Sequence, residues 1–112
     1  GLVTSNYRRI CDLVLGTLPD IHFDVTITFD DVSKPKPDPE GYLKAAKLLG
    51  AEPKSVLIFE DSGPGVRAAV ASGAKVCAVP TYPGIEENEQ IRIVHSLTEV
   101  NLETIKNWYL DW

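Results

Sequence analysis

The sequence predicts an α/β fold in which helices cover a parallel β-sheet. Short apolar runs alternate along the chain with stretches whose apolar residues recur at helical spacing. Glycine, proline and aspartate stand at the joints between these segments. This alternation favours parallel strands joined by right-handed crossovers. In such sheets ligands bind at the carboxyl ends of the strands, so the loops that follow the strands are the candidate ligand-binding loops.

The first half of the chain contains two predicted strands and two predicted helices. Residues 1–4 resemble the end of a buried strand, and residues 6–18 carry apolar side chains on one helical face. A second strand is predicted over residues 25–29. A proline-rich loop then leads to a helix over residues 39–49, because Asp38 is a suitable N-cap residue and proline and glycine mark the two ends.

The second half repeats the alternation. Residues 55–60 form a continuous apolar run that ends in a carboxylate, as expected of a strand buried on both faces. A turn with the sequence DSGPG leads to a short helix over residues 65–72. Two further strands are predicted over residues 75–79 and 91–95. A final helix begins near Leu102.

Composition narrows the class of protein. The 112 residues, 44% hydrophobic and 24% charged, are typical of one small globular domain. A net charge of −5 argues against a nucleic-acid partner. No apolar run reaches the roughly 18 residues needed to span a membrane, and no signal peptide is visible, so a cytoplasmic location is expected. Cys11 and Cys77 lie in predicted core segments and are expected to be free thiols rather than a disulfide.

Polar residues follow the first predicted strand. Thr4, Ser5 and Asn6 stand at the start of a predicted helix, where backbone N–H groups and the helix dipole favour anions. The three residues therefore form a candidate phosphate-binding site. Ordinary capping of the helix is the alternative interpretation.

The loop after the second predicted strand carries two lysines between prolines. Lys34 and Lys36 lie in the stretch KPKPDP, which holds a positive charge on a stiff backbone. Such a charge suits the binding of an anion. A solvated loop and a proline-rich ligand for another domain are the alternatives, although the helix signal at Asp38 anchors the segment and disfavours the second.

Two adjacent carboxylates end the third predicted strand. Buried carboxylates are costly unless they are paired or bind a metal, and Mg²⁺ prefers one or two protein carboxylates together with water and phosphate oxygens. Glu60 and Asp61 are therefore candidate Mg²⁺ ligands. The alternative is a solvated acidic pair at the start of a helix.

Together these loops resemble the haloacid dehalogenase-like hydrolase superfamily. The strand that ends at Thr4 resembles its second motif, KPDPEGYLKAAKLLG its third, and VLIFEDSGPGVRAAVASGAKVCAV its fourth. The resemblance implies a Rossmann-like parallel sheet flanked by helices. It also implies Mg²⁺-dependent phosphoryl transfer through an aspartyl-phosphate. The Glu-Asp-Ser form of the fourth motif favours the phosphatase and phosphomutase branch.

The resemblance also assigns roles to residues. Thr4 would hydrogen-bond the transferring phosphoryl group, and Glu60 and Asp61 would hold Mg²⁺. Lys36 is the expected catalytic lysine, because Pro-x-Pro follows it and Tyr42 stands six residues later. Lys34 meets the first condition but not the second.

One part of the family pattern is absent. The first motif, Asp-x-Asp-Gly-Thr or Ser after an apolar strand, supplies the nucleophile in this family and occurs nowhere in this sequence. The helical cap between the first and second motifs is also absent. Residues 1–112 are therefore expected to be the C-terminal part of a core domain with an incomplete sheet. The N-terminal segment, from the same protein or another chain, would supply the central strand.

The leading functional hypothesis is a phosphatase that acts on a small phosphorylated metabolite such as a sugar or polyol phosphate. A phosphomutase of the β-phosphoglucomutase type is the nearest alternative, since the visible motifs do not separate the two. A third possibility is a truncated, non-catalytic protein that binds Mg²⁺ and phosphate. The isolated chain is expected to be inactive and not to fold alone.

Overall fold

The computed structural model describes residues 1–112 as an alternation of strands and helices, in the predicted order. The strands and helices are β1 Leu2–Val3, α1 Arg8–Gly16, β2 Thr26–Ile27, α2 Glu40–Leu48, β3 Leu57–Glu60, α3 Gly63–Ala71, β4 Lys75–Ala78, β5 Ile91–Ile93 and α4 Leu102–Asp111. Every strand pair is parallel, which confirms the predicted fold class.

The strands form two separate sheets. β1 pairs with β2, with Val3 opposite Ile27, and β3, β4 and β5 form a second sheet in that order, with Phe59 opposite Cys77. No ladder of hydrogen bonds joins β1 to β3. The sheet is therefore interrupted in its middle, as predicted for a chain that lacks the central strand.

An apolar cleft of about 670 Å³ lies between the two sheets. Residues of β1 and β3 line it, together with Tyr42, Ala45 and Ala46 of α2 and Leu49, which follows that helix. Because β1 and β3 each pair with a neighbour on one side only, the walls of this cleft combine apolar side chains with the backbone groups of two edge strands. A further parallel strand has the chemistry that such a cleft accepts.

The main core lies around the three-stranded sheet and α3. Val76, Cys77 and Ala78 of β4 are fully buried, as are Ala68 and Ala69 of α3. Helix α2 packs on β1 and β2 and also contacts α3, and its Tyr42 belongs to the main core cluster. Helix α2 thus attaches the smaller sheet to the larger one.

Side chains that form hydrogen bonds with the backbone set where some strands end and where some helices begin. Strand β2 stops at Ile27 because Thr28 and Asp31 form a capping box around a short 3₁₀ turn. The predicted turn DSGPG is mostly the first turn of α3: the helix begins at Gly63, and the Ser62 hydroxyl accepts the Gly65 N–H at 3.1 Å.

Helix α1 leaves most of its apolar side chains exposed. Cys11 is buried, whereas Tyr7, Ile10, Val14 and Leu18 from the predicted apolar face are all exposed. Both cysteines are free and buried, as predicted. None of the helices combines the length and apolar character that crossing a membrane requires.

The interrupted sheet predicts that the isolated 112-residue chain does not fold cooperatively as a monomer. Each buried backbone group left without a partner costs about 1–3 kcal/mol, and several such groups cost as much as a small domain gains on folding. Thermal unfolding followed by circular dichroism, with ultracentrifugation to establish the monomer, is the measurement. A sharp and reversible transition of the monomer would contradict the prediction.

Candidate active site

The six predicted site residues line one open cleft of about 950 Å³. The cleft lies beyond the carboxyl ends of β1 and β3, where parallel strands of an α/β sheet place their ligand-binding loops. The predicted residues in its wall are Thr4, Ser5, Asn6, Lys36, Glu60 and Asp61. The tertiary structure therefore gathers residues from three loops that are far apart in sequence.

Lys36 spans the gap between the two sheets. Its Nζ donates to Glu60 Oε1 at the end of β3, at 2.5 Å, and to the backbone carbonyl of Val3 in β1, at 3.1 Å. The ammonium also lies 5.0 Å from the centre of the Tyr42 ring, within the range of a cation–π interaction. Lys34 is exposed and forms no ion pair. Of the two lysines, Lys36 is the one placed in the cleft.

Glu60 is the buried partner of this lysine, with 9% of its surface exposed. Its Oε1 accepts from Lys36 and from the Tyr42 hydroxyl, and its Oε2 accepts the Asp61 N–H at 3.2 Å. Burial alone would raise the pKa of the Glu60 carboxyl. Hydrogen bonds from Lys36 and Tyr42 outweigh burial and hold that pKa below its ordinary value. Glu60 is therefore an anion at neutral pH.

Gly65 packs directly against the Glu60 carboxylate. A Cβ added at Gly65 would overlap the carboxyl group, so any larger residue would displace it. The sequence suggested only a turn here. The close approach of the α3 backbone to Glu60 gives this glycine a packing role.

The hydrogen bond from the Tyr42 hydroxyl to Glu60 is not predicted by the sequence, in which Tyr42 enters only as the aromatic residue that follows Lys36 in the third motif. The side chain is buried, and burial, together with the hydrogen bond to Glu60, raises the pKa of Tyr42 above its ordinary value. The hydroxyl therefore remains protonated and donates to the carboxylate. A tyrosine rather than a phenylalanine at a buried position is the signal that could have indicated a polar partner.

Asp61 is exposed, and its carboxylate makes no hydrogen bond or ion pair. Glu60 is already engaged with cationic and neutral donors, and no group of three or more metal-ligating side chains is present. Mg²⁺ is commonly held by one or two carboxylates with water and phosphate oxygens, so this donor set fits the ion. Of the two predicted ligands, Asp61 is the one whose carboxylate has no hydrogen-bond partner in the protein. The metal-binding role of both residues remains a prediction.

The loop after β1 offers hydrogen-bond donors. The Thr4 Oγ1 accepts the Asn6 N–H at 3.1 Å, which leaves the hydroxyl proton free to donate into the cleft. Ser5 and Asn6 are exposed. The helix behind them begins only at Arg8, whose N–H donates to Asp30 Oδ2 at 3.1 Å. The donors available to an anion are therefore those of the loop, and the first N–H of the helix is already used.

Comparison with known proteins identifies the family. The sequence profile of the haloacid dehalogenase-like hydrolases matches residues 1–79. The chain is 39% identical over 102 residues to validoxylamine A 7′-phosphate phosphatase from Streptomyces hygroscopicus subsp. limoneus, a match that covers 89% of this chain and 48% of the relative. The chain thus spans about half the length of that relative.

Solved structures agree with the sequence comparison. A haloacid dehalogenase hydrolase of family IA, variant 3, from Entamoeba histolytica superposes with a TM-score of 0.78 at 26% identity, over 95% of this chain and 51% of that one. A candidate β-phosphoglucomutase from Thermotoga maritima superposes with a TM-score of 0.65 at 33% identity, over 78% and 40%. The parallel sheet, the cleft at its strand ends and these relatives together show that the chain belongs to the haloacid dehalogenase-like hydrolases.

Proposed function

We propose that this chain forms the larger part of a Mg²⁺-dependent phosphoryl-transfer site, and that the whole protein is a phosphatase. The observation that carries the proposal is the convergence in one cleft of a free hydroxyl at Thr4, a fixed ammonium at Lys36 and an unpaired carboxylate at Asp61. Phosphoryl transfer depends mainly on positioning and on stabilising charge, and these groups supply both. The phosphatase relative supports the same class.

Each residue has a distinct role in the proposed site. The Thr4 hydroxyl donates to an oxygen of the transferring phosphoryl group, and the Lys36 ammonium balances the negative charge that gathers there. Glu60 accepts a hydrogen bond from Lys36 and so holds its ammonium in place. Asp61, together with Glu60, holds Mg²⁺. When bound, the ion would neutralise part of the phosphate charge.

The nucleophile belongs to a segment outside this sequence in the proposed mechanism. An apolar strand inserted between β1 and β3 would fill the 670 Å³ cleft and would end beside Lys36. An aspartate at the end of that strand would meet the positive charge of the lysine. The same protein or another chain would supply the segment, and the sequence upstream of Gly1 is the direct test.

The proposed substrate is a small phosphorylated metabolite, such as a sugar or polyol phosphate. The similarity to validoxylamine A 7′-phosphate phosphatase supports this class. A phosphomutase of the β-phosphoglucomutase type is the second candidate, supported by the structural similarity to the Thermotoga maritima protein. Release of inorganic phosphate from sugar phosphates, as opposed to isomerisation of the phosphorylated sugar, separates the two. A protein from the complete reading frame that does neither would favour the non-catalytic alternative.

Replacing Lys36 by alanine tests the proposed catalytic lysine. In the protein expressed from its complete reading frame, we expect Lys36→Ala to lower kcat for phosphate release about 10²- to 10³-fold, the usual effect of removing one group that stabilises transition-state charge. Lys34→Ala is the matched control, because it removes an equal charge from the same loop and should leave kcat near the wild-type value. Equal losses in the two variants would contradict the assignment.

Replacing Asp61 by asparagine tests the proposed metal site. Asparagine keeps the size of the side chain but removes its charge, so the Mg²⁺ concentration for half-maximal activity should rise at least about tenfold. Removal of Mg²⁺ with EDTA should abolish phosphate release by the wild-type protein. Asp20→Asn changes an exposed carboxylate outside the cleft and should have no effect. A Mg²⁺ requirement unaltered by Asp61→Asn would exclude Asp61 as a ligand.

The lowered pKa of Glu60 predicts a specific dependence of stability on pH. Ionised Glu60 stabilises the folded protein at pH values above its ordinary pKa of 4.5, and this stabilisation is lost as the pH falls through the lower folded-state pKa. Glutamine cannot ionise, so the free-energy difference between wild type and Glu60→Gln should be constant at neutral pH and should shrink below pH 4.5. Urea unfolding of both proteins, each expressed from its complete reading frame, across this pH range provides the measurement. A difference independent of pH would show that Glu60 does not titrate as described.

A further inference from the structure

Arg8, the first residue of α1, joins three elements through its side chain. Its Nη1 donates to Thr26 Oγ1 at 2.7 Å, and its Nη2 donates to the Thr26 carbonyl at 2.9 Å and to Asp31 Oδ2 at 2.6 Å. One guanidinium thus ties α1 to the first residue of β2 and to the turn that follows that strand. Such a planar, multiply bonded contact fixes geometry more closely than a point charge does.

Asp31 accepts hydrogen bonds from three other residues. Its Oδ2 accepts not only from Arg8 but also from the N–H and the hydroxyl of Thr28, each at 2.8 Å, and Thr28 is fully buried. Its backbone carbonyl accepts from Lys44 of α2 at 2.6 Å. Asp31 therefore connects α1, the end of β2 and α2. The hydrogen bond from Arg8 is the one that connects α1.

The loop that carries Lys36 begins directly after Asp31. Within residues 32–39 one backbone hydrogen bond forms, from the Asp38 N–H to the Pro35 carbonyl at 3.0 Å, because the prolines remove donors. Near its start the Ser33 N–H donates to the carboxylate of Glu40, the first residue of α2, at 2.7 Å, so the two ends of the loop are tied together. A loop with so few internal bonds takes its position from its ends. The fixed Asp31 thus holds the start of the loop, while the bonds of Lys36 to Val3 and Glu60 hold its ammonium in the cleft.

The Thr4 loop shares the same anchor. It runs directly into α1 at Arg8, and its Asn6 carbonyl accepts the Phe29 N–H at 2.9 Å. Arg8 and this backbone bond together join the Thr4 loop to the turn before the Lys36 loop. Two groups that would contact the same phosphoryl group are therefore carried by one bonded unit.

We propose that Arg8 is a positioning residue that fixes the Thr4 loop and the Lys36 loop relative to each other. The inference rests on the proposed phosphoryl-transfer function, since both loops matter to that reaction. Arg8 touches no reacting group itself. It acts by holding Asp31, so its loss should allow the Lys36 loop to move while the larger sheet stays intact.

The test compares Arg8→Gln with Arg9→Gln in the protein expressed from its complete reading frame. Arg9 is the matched control, because it is the next residue of the same helix and is exposed without hydrogen bonds or ion pairs. Arg8→Lys is the conservative variant and the second variant should Arg8→Gln fail to fold. Hydrogen–deuterium exchange of residues 28–38 and Mg²⁺-dependent release of phosphate from p-nitrophenyl phosphate are measured for each.

For Arg8→Gln we expect exchange in residues 28–38 to become at least about tenfold faster, as the loss of a charge-assisted hydrogen bond predicts, with β3 to β5 unchanged. We expect kcat to fall about 10- to 100-fold, by a larger factor than KM rises. Arg8→Lys should recover part of both losses, and Arg9→Gln should match the wild type.

Unchanged exchange in residues 28–38 of Arg8→Gln would overturn the proposal. Faster exchange that extends through β3 to β5 in both Arg8 variants would also overturn it, because Arg8 would then be a general stabilising residue. An equal loss of kcat in Arg9→Gln would overturn it as well. A wild-type protein that releases no phosphate would refute the proposed function instead. The exchange measurement would still decide whether Arg8 holds the two loops.

Discussion

The buried carboxylate of Glu60 is the group on which the site depends. A carboxylate taken out of water is costly unless donors replace the lost hydration. Here the Lys36 ammonium, the Tyr42 hydroxyl and the Asp61 N–H replace it. These donors come from the lysine loop, from α2 and from the end of β3, so satisfying one buried charge also brings those three parts of the chain together. Gly65 permits this because its missing side chain leaves space for the carboxylate.

The same contact connects the two sheets. β1 and β3 share no hydrogen bonds, yet Lys36 bonds to the Val3 carbonyl of one and to the Glu60 carboxylate of the other. The apolar cleft between the sheets opens into the polar cleft of the site, and Leu2, Val3, Phe59 and Leu97 line both. In the proposed protein, one inserted strand would therefore complete the sheet and the site together. In the proposed mechanism, the strand that would fill the gap between the sheets is therefore also the segment that would carry the nucleophile.

The pattern of apolar residues, caps and glycines along the chain predicted much of the architecture, but it did not predict where each strand and helix begins and ends. The apolar run that became β3 and the cap and glycine signals around α2 were sufficient to place those elements within a few residues. Strand β2 is shorter than predicted because Thr28 and Asp31 bond to each other instead of extending the ladder. The turn before α3 became helix because Ser62 caps it. In each case a side chain competes for the backbone, and apolar periodicity does not report such competition.

The sequence by itself determined the α/β order, the loops that would carry polar groups, and the family, because motif spacing along the chain is a local property. Motif spacing also favoured Lys36 over Lys34, because only Lys36 has Tyr42 six residues later. Only the tertiary structure decided what the Lys36 ammonium contacts, namely Glu60 and the Val3 carbonyl. It also decided that Glu60 is engaged while Asp61 is free, and that Tyr42 and Arg8 act through their polar ends. These contacts join residues that are 18 or more positions apart in the sequence. Whether two such residues touch depends on how the helices and strands pack, which the local sequence pattern does not report.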